Sequence, residues 1–175
     1  KLTATVCLDT DVAGIKQKPK SCAVSDLFFE SGQGAPVGVT KIETRMVPSD
    51  DKIKPQFIIH IENRGRGEVI KDDSIDMMCS EEGATPDTRN QAYNTISFKA
   101  YLSGTDEKSI LECEPKLTQG SSDAYVKLFK KKDFVRCTVK GGISKNIDAY
   151  SAPLNIEMDY GYTDTISANY AIEKG

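Results

Sequence analysis

Between Pro55 and Ile70 the chain reads PQFIIHIENRGRGEVI. Phe57, Ile59 and Ile61 alternate with Ile58, His60 and Glu62, the run breaks at Asn63, Gly65 and Gly67, and it resumes at Val69. A period of two places one set of side chains on a buried face and the other on the opposite face, which a helix cannot do. Asn and Gly tolerate the backbone angles of a tight reversal, so the segment predicts a β-strand that turns at the end of a sandwich and starts again.

The rest of the chain keeps the same rhythm. Apolar alternation predicts strands over Leu2–Leu8, Cys22–Glu30, Val37–Val47, Gln56–Asn63, Val69–Cys79, Tyr93–Ser103, Ile110–Leu117, Tyr125–Phe129, Phe134–Lys140, Leu154–Tyr162 and Thr165–Ile172. Turn clusters rich in Gly, Pro, Asn, Asp and Ser lie between them, among them SGQGAP, NRGRG, SEEGATPDTRN and GGISKNID. In Tyr93–Ser103 the residues Ile96, Phe98, Ala100 and Leu102 share one face, and in Leu154–Tyr160 the residues Leu154, Ile156, Met158 and Tyr160 do. Gly161 reads as a bulge or hairpin point. A short helix over SDAYVKLFKKKDF, capped by Ser122, is the alternative to a strand there. The fold class is all-β, a two-sheet sandwich of the immunoglobulin-like kind, mostly antiparallel. Residues 1–175 form one domain, with 1–34 as an N-terminal strand-and-loop extension and 35–175 as the sandwich core.

A chain of 175 residues buries roughly 70% of its unfolded surface, enough for one core. With 38% hydrophobic and 28% charged residues it is an ordered and hydrophilic domain. A net charge of -3 lacks the positive field that nucleic acid requires, so nucleic acid is excluded as the expected partner. No run of about 18 apolar residues is present, so no helix of this chain is expected to span a membrane. Lys1–Leu8 enters a strand pattern directly, which implies either a removed signal or a piece of a longer, anchored protein.

Five cysteines stand at 7, 22, 79, 113 and 137 with no CxxC and no neighbouring His, which argues against zinc and thioredoxin-type chemistry. Disulfides in an oxidising compartment are favoured over buried thiols. A Cys7–Cys22 bond would tie down the Lys/Pro-rich excursion between them. Cys113 and Cys137 could join neighbouring strands or the two sheets. Cys79 is left over, either free or available for an intermolecular bond.

His60 is the only histidine and faces away from Phe57, Ile59 and Ile61. A strand residue in partial contact with solvent is the expected role, since no GxSxG or comparable nucleophile signature accompanies it. Neither Gly-rich stretch has the strand-turn-helix context of a phosphate loop. DTDVAG at Asp9–Gly14 imitates the start of a calcium loop but carries Ala13 at a ligand position and Lys20 where the bidentate Glu belongs. Calcium held by looser loop carboxylates would draw on Asp9, Asp11, Asp50, Asp51, Asp72 and Asp73, which otherwise read as solvated turn acids. Lys127, Lys130, Lys131 and Lys132 around Phe129 read as edge protection rather than a lipid-binding patch. No catalytic residue, cofactor or fixed metal site is expected.

The pattern F-x-I-x-I-x-N-x-G-x-G at Phe57, Ile59, Ile61, Asn63, Gly65 and Gly67, preceded by the strand Val39–Glu43, resembles the opening strands of CARDB-type and related immunoglobulin-like modules of prokaryotic surface proteins. Pro153–Tyr162 is similar to the final strands of such domains in archaea. The resemblance implies adhesion, spacing or assembly at the cell surface, with no catalytic residues to carry over. The expected function is therefore a non-catalytic extracellular structural or interaction module with protein partners, copies of itself included. In its specific form it is a filament or layer subunit assembling through strand edges, with Leu2, Ala4, Val6 and Leu8 as the assembly strand. The alternative is an accessory domain of an exported enzyme that binds carbohydrate or peptide, which predicts a concave patch gathering several of Tyr93, Tyr101, Tyr125, Tyr150, Tyr160 and Tyr162.

Overall fold

The computed structural model describes residues 1–16, 18–30, 33–80, 84–104, 109–115 and 124–167. Among them are the strands β1 (Leu2–Leu8), β2 (Leu27–Phe28), β3 (Val37–Ser49), β4 (Lys52–Asn63), β5 (Glu68–Lys71), β6 (Thr95–Leu102), β7 (Ser109–Ile110), β8 (Glu112–Glu114), β9 (Ala124–Lys127), β10 (Lys132–Thr138), β11 (Ile143–Ser144) and β12 (Tyr150–Thr163). Two short helices, α1 (Ile75–Met78) and α2 (Pro86–Ala92), lie between β5 and β6. The first sheet runs β1-β12-β6-β7, with β5 on the far end of β12 and β9 on the start of β6. The second runs β2-β3-β4-β10-β8, with β11 on the start of β4. Every pairing is antiparallel. The chain is thus an all-β two-sheet sandwich.

The core is the space between the inner rows that the alternation marks. Phe57, Ile59 and Ile61 of β4 and Ile42 of β3 are fully covered, as are Ile96, Phe98, Leu102, Leu154 and Ile156 of the first sheet. Truncating a ring such as Phe57 removes contacts on every side and costs roughly 3 to 5 kcal/mol. β1 adds Ala4, Val6 and Leu8 to this core, and β2 joins the second sheet beside β3. The first 34 residues therefore contribute a strand to each sheet.

Four segments differ from the sequence-based expectation. The strand begun at Glu68 ends at Lys71, and Asp72–Met78 coils into a 3-10 turn and α1. Asp72 accepts from Ser97 Oγ at 2.6 Å and Asp73 from Ser74 Oγ at 2.9 Å, so local side-chain bonds outcompete a ladder there. SEEGATPDTRN, read as a turn, contains the start of α2, which runs on to Ala92. Thr85 caps it by accepting from the Thr88 N–H at 3.3 Å, and Pro86 supplies a preset φ in the first turn. Of the expected strand Cys22–Glu30 only Leu27–Phe28 pairs, and Thr165–Ser167 form no strand, while 168–172 lie outside the described residues. The region around Tyr125 is strand β9 followed by a turn in which Lys130 and Lys131 take positive φ (49° and 70°), not a helix; Ser122 lies outside the described residues.

Gly161 interrupts nothing. β12 runs through it, and a Cβ there would stand 2.7 Å from Ile75 Cγ1, so the glycine makes room for α1. At the end of β4 the expected reversal is built around Asn63. This buried side chain accepts from the Gly65 N–H and donates to the Gly67 carbonyl, each at 3.0 Å. The Gly67 N–H donates to Tyr162 Oη at 2.7 Å, and a Cβ on Gly67 would lie 2.0 Å from the Thr163 carbonyl. One amide thus closes the turn and glycine lets it pack on β12.

Asn63→Ala leaves a half-buried N–H and a buried carbonyl without the amide that partners them and should lower stability by about 1–3 kcal/mol. Gly67→Ala should cost at least as much, because the clash is with backbone. Urea denaturation followed by far-UV circular dichroism reads both.

Candidate interaction surface

A sheet exposes unpaired peptide groups wherever its ladder stops, and such rims are the natural seats for another strand. The first sheet ends at β1, whose Leu2–Leu8 pair one to one with Ile156–Tyr150 of β12. The direction of each β1 peptide follows from the neighbouring ladder. The Ser103 N–H donates to the Pro153 carbonyl, and Tyr101 faces Asn155. Odd-numbered residues of β12 therefore aim their peptides at β6 and even-numbered ones aim theirs at β1. Leu2, Ala4, Val6 and Leu8 answer the even set, so Thr3, Thr5 and Cys7 turn their N–H and C=O groups to the open rim. The assembly-strand residues are thus the ones held to β12 in their own chain, and the free valences belong to the residues between them.

Seven residues form this edge without a proline, a charged residue or a bulge, the usual guards of an open rim. The other edges among the described residues are short or guarded. β2 and β7 have two residues each, and β8 has three, two of them glutamates. β9 carries Lys127, with the Lys71 ammonium 4.2 Å from the centre of the Tyr125 ring. Beyond its contact with β2, β3 continues as an outer strand through Arg45 and Pro48. On that stretch Thr44 buries a hydroxyl that has no partner among the described residues.

The disulfides frame the edge. Cys7 bonds Cys22, with the two Cα atoms 5.8 Å apart, so the chain leaving the far end of β1 is tied back to it. Ser21 Oγ donates to the Ala149 carbonyl beside the same end. Cys113 bonds Cys137, which it faces across the β8–β10 ladder, so this bond joins neighbouring strands within one sheet. Cys79 is free and exposed at the end of α1.

The outer face of the second sheet carries a fixed charge network. Phe28, Lys41, His60 and Phe134 lie in one row across β2, β3, β4 and β10. Glu43 accepts from Lys41 Nζ at 3.1 Å and Arg45 at 3.0 Å, and its Oε1 lies 3.0 Å from His60 Nε2. Lys41 also reaches Asp26 at 3.0 Å. The Lys41 ammonium, then His60 and Arg45, hold the Glu43 carboxyl down at about 2. His60 is one-third exposed and sits 5.9 Å from the Phe134 ring, on the face away from the core. The shallow depression beside it, about 450 Å³, is lined by Thr40, His60, Glu62, Lys132, Asp133 and Phe134.

The remaining candidates do not converge. Asp9 and Asp11 are buried and engaged. Asp9 accepts from the Asp11 N–H and from Lys20 Nζ at 2.5 Å, and Asp11 accepts from the Ile15 and Lys16 N–H groups. Burial pushes the Asp9 carboxyl up, but Lys20 and the Asp11 N–H outweigh it and leave the pKa below the ordinary range. An ammonium thus stands where a loop cation would. Asp72 and Asp73 are bound as above, and Asp50 sits in the β3–β4 turn at a φ of 43°. No group of three or more His, Cys, Asp or Glu side chains disposed to hold a metal occurs among the described residues.

The tyrosines divide. Tyr150, Tyr160 and Tyr162 pack against the core, while Tyr101 donates to Glu157 and Tyr125 lies under Lys71 on the first sheet. Lys131 Nζ donates to the Gly65 carbonyl at 2.9 Å and Lys127 Nζ to the Asn90 carbonyl, so these two lysines brace the turn after β4 and helix α2.

Because the Glu43 carboxyl is depressed in the folded chain, its stabilisation is complete above the ordinary glutamate range near pH 4.3 and is lost as pH falls toward about 2. Glu43→Gln should flatten that part of the acid-unfolding profile, read as Tm against pH. Compared with known proteins, the chain matches no family model, no curated protein and no solved structure.

Proposed function

We propose that the chain is an exported, non-catalytic structural or interaction module that binds protein partners by strand addition, with β1 as the principal seat. The observation that carries the reading is the contrast among edges. β1 presents an unguarded seven-residue rim, whereas the other edges are short, charged or interrupted by proline. A protein with no use for such a rim is expected to protect it. The two disulfides support an oxidising compartment, as outside the cytosol. No helix among the described residues is long and apolar enough to cross a membrane.

The finer form of the proposal is a subunit of a prokaryotic surface filament or layer, to which the resemblance of Phe57–Gly67 contributes. β1 keeps its place beside β12 and offers its outer rim, rather than leaving its sheet to complete a neighbour's. An accessory domain of an exported enzyme draws on the same rim if its ligand is an extended peptide. For carbohydrate the support is weaker, because Tyr150, Tyr160 and Tyr162 turn to the core while Tyr101 and Tyr125 do not.

Ten-residue peptides selected for binding from a displayed library should alternate polar and apolar residues and lose binding at least about tenfold to the double variant Thr3→Pro/Thr5→Pro. The backbone N–H groups at those positions donate nothing to β12, so the variant keeps its ladder and loses only the bond from the Thr3 hydroxyl to Asn155 Oδ1 at 2.8 Å. Peptides that bind wild type and variant equally would retire the strand-addition reading. Thiol counting by mass spectrometry without reductant should find one free thiol; five would remove the exported assignment.

A further inference from the structure

The β1 rim is complementary to itself. From Leu2 to Val6 the sequence is Leu-Thr-Ala-Thr-Val, a hydrophobe, a threonine, alanine, a threonine and a hydrophobe, symmetric in kind about Ala4. We infer that the partner of this edge is a second copy of the chain, docked antiparallel with a two-fold axis through Ala4. The inference rests on the open-edge reading and adds to it the occupant and the register.

The geometry follows from which peptides are free. Thr3 and Thr5 carry the rim N–H and C=O groups, so in an antiparallel pair they must form the hydrogen-bonded sites. A two-fold axis through Ala4 sets Thr3 opposite Thr5 of the partner subunit and Thr5 opposite Thr3 of the partner subunit. This closes about four backbone hydrogen bonds. Ala4 then faces its own copy in a non-hydrogen-bonded site, where Cα atoms approach to about 4.5 Å and a small side chain fits.

On the inner side, Leu2 meets the partner's Val6. Leu2 is only partly buried in one chain, so this contact covers apolar surface still open to water. On the outer side the facing threonines form a favourable cross-strand pair.

Two features select this register over its neighbours. A two-fold axis through Thr5 would draw Cys7 and Leu8 into the contact. At that end the chain is tied by the Cys7–Cys22 bond, and the Ser21 hydroxyl is fastened to the Ala149 carbonyl. An axis through Thr3 would set Thr5 against Lys1 and shorten the overlap. With the axis at Ala4 the pairing spans Leu2–Val6 and stops short of the disulfide. The Lys1 side chain brings no unpaired charge, because its ammonium lies 2.6 Å from Glu157 of its own chain and over the Tyr101 ring. The contact is isologous and closes on itself, so it makes a dimer, and any filament or layer would need a second, different contact.

The test combines sedimentation equilibrium with cross-linking in the full chain, in a Cys79→Ser background. The inference expects a monomer–dimer equilibrium between micromolar and millimolar concentration. Thr3→Pro/Thr5→Pro should weaken it at least about tenfold, with the far-UV spectrum and Tm showing that the variant is folded. On mild oxidation Ala4→Cys should give a disulfide-linked dimer, and Thr5→Cys alone should not. If the proline variant fails to fold, the cross-linking pair decides.

A chain that stays monomeric and gives no Ala4→Cys dimer would overturn the inference, as would a dimer insensitive to the proline variant or one that cross-links at Thr5 and not at Ala4. Any of these three results together with rim-dependent binding of selected peptides would leave strand addition standing and remove only the two-fold partner.

Discussion

The structure depends on β4 being paired along both of its sides. β3 runs beside it from Val37 to Ser49, while β10 and β11 share its other flank. Only with both flanks occupied do Phe57, Ile59 and Ile61 present a continuous inner row on which the first sheet can close. The turn after β4 must then leave in the direction of β12, which the Asn63 amide and the Gly67–Tyr162 contact arrange. Core burial, the reversal and the approach of the two sheets are successive effects of one strand's position.

What could be read from residues alone was whatever depends on period and on local turn chemistry. The inner rows at Phe57–Ile61, Ile96–Leu102 and Leu154–Tyr160 are legible because alternation with a wet outer face has one solution. His60 could be placed on the outer face for the same reason. The reversal at Asn63–Gly67 was legible from residue type. α2 left a signal as well, Thr-Pro-Asp with a threonine at the third position of the helix, but the Ser, Gly, Pro, Asp and Asn residues of SEEGATPDTRN made it look like a loop. The coil at Asp72–Met78 was hidden, because its cause is a bond from Ser97, distant in sequence, to Asp72. Gly161 was legible as special but not for its reason, since Ile75 is what comes close to it.

The candidate surface was legible only in part. Leu2, Ala4, Val6 and Leu8 stand out as an alternating strand, but which peptides of that strand face outward depends on the register of β12 against β6, a long-range fact. The Glu43 network is similarly invisible in one dimension. Asp26, Lys41, Glu43, Arg45 and His60 meet because β2, β3 and β4 are neighbours in one sheet. That network covers an outer face with paired charge while β1 remains bare, so the two sheets meet solvent in different ways.

The Cys7–Cys22 bond also determines how the chain would carry tension. β1 and β12 are antiparallel, and Lys1 lies beside Glu157, so a pull on Lys1 away from the body peels β1 from its ladder one rung at a time. When the peel reaches Cys7 the load passes through the two sulfurs to Cys22. The residues between them, with their Asp9–Lys20 and Asp11 contacts, are bypassed. Under force the excursion behaves as a protected loop, and the next structure to feel the strain is β2 on the opposite sheet.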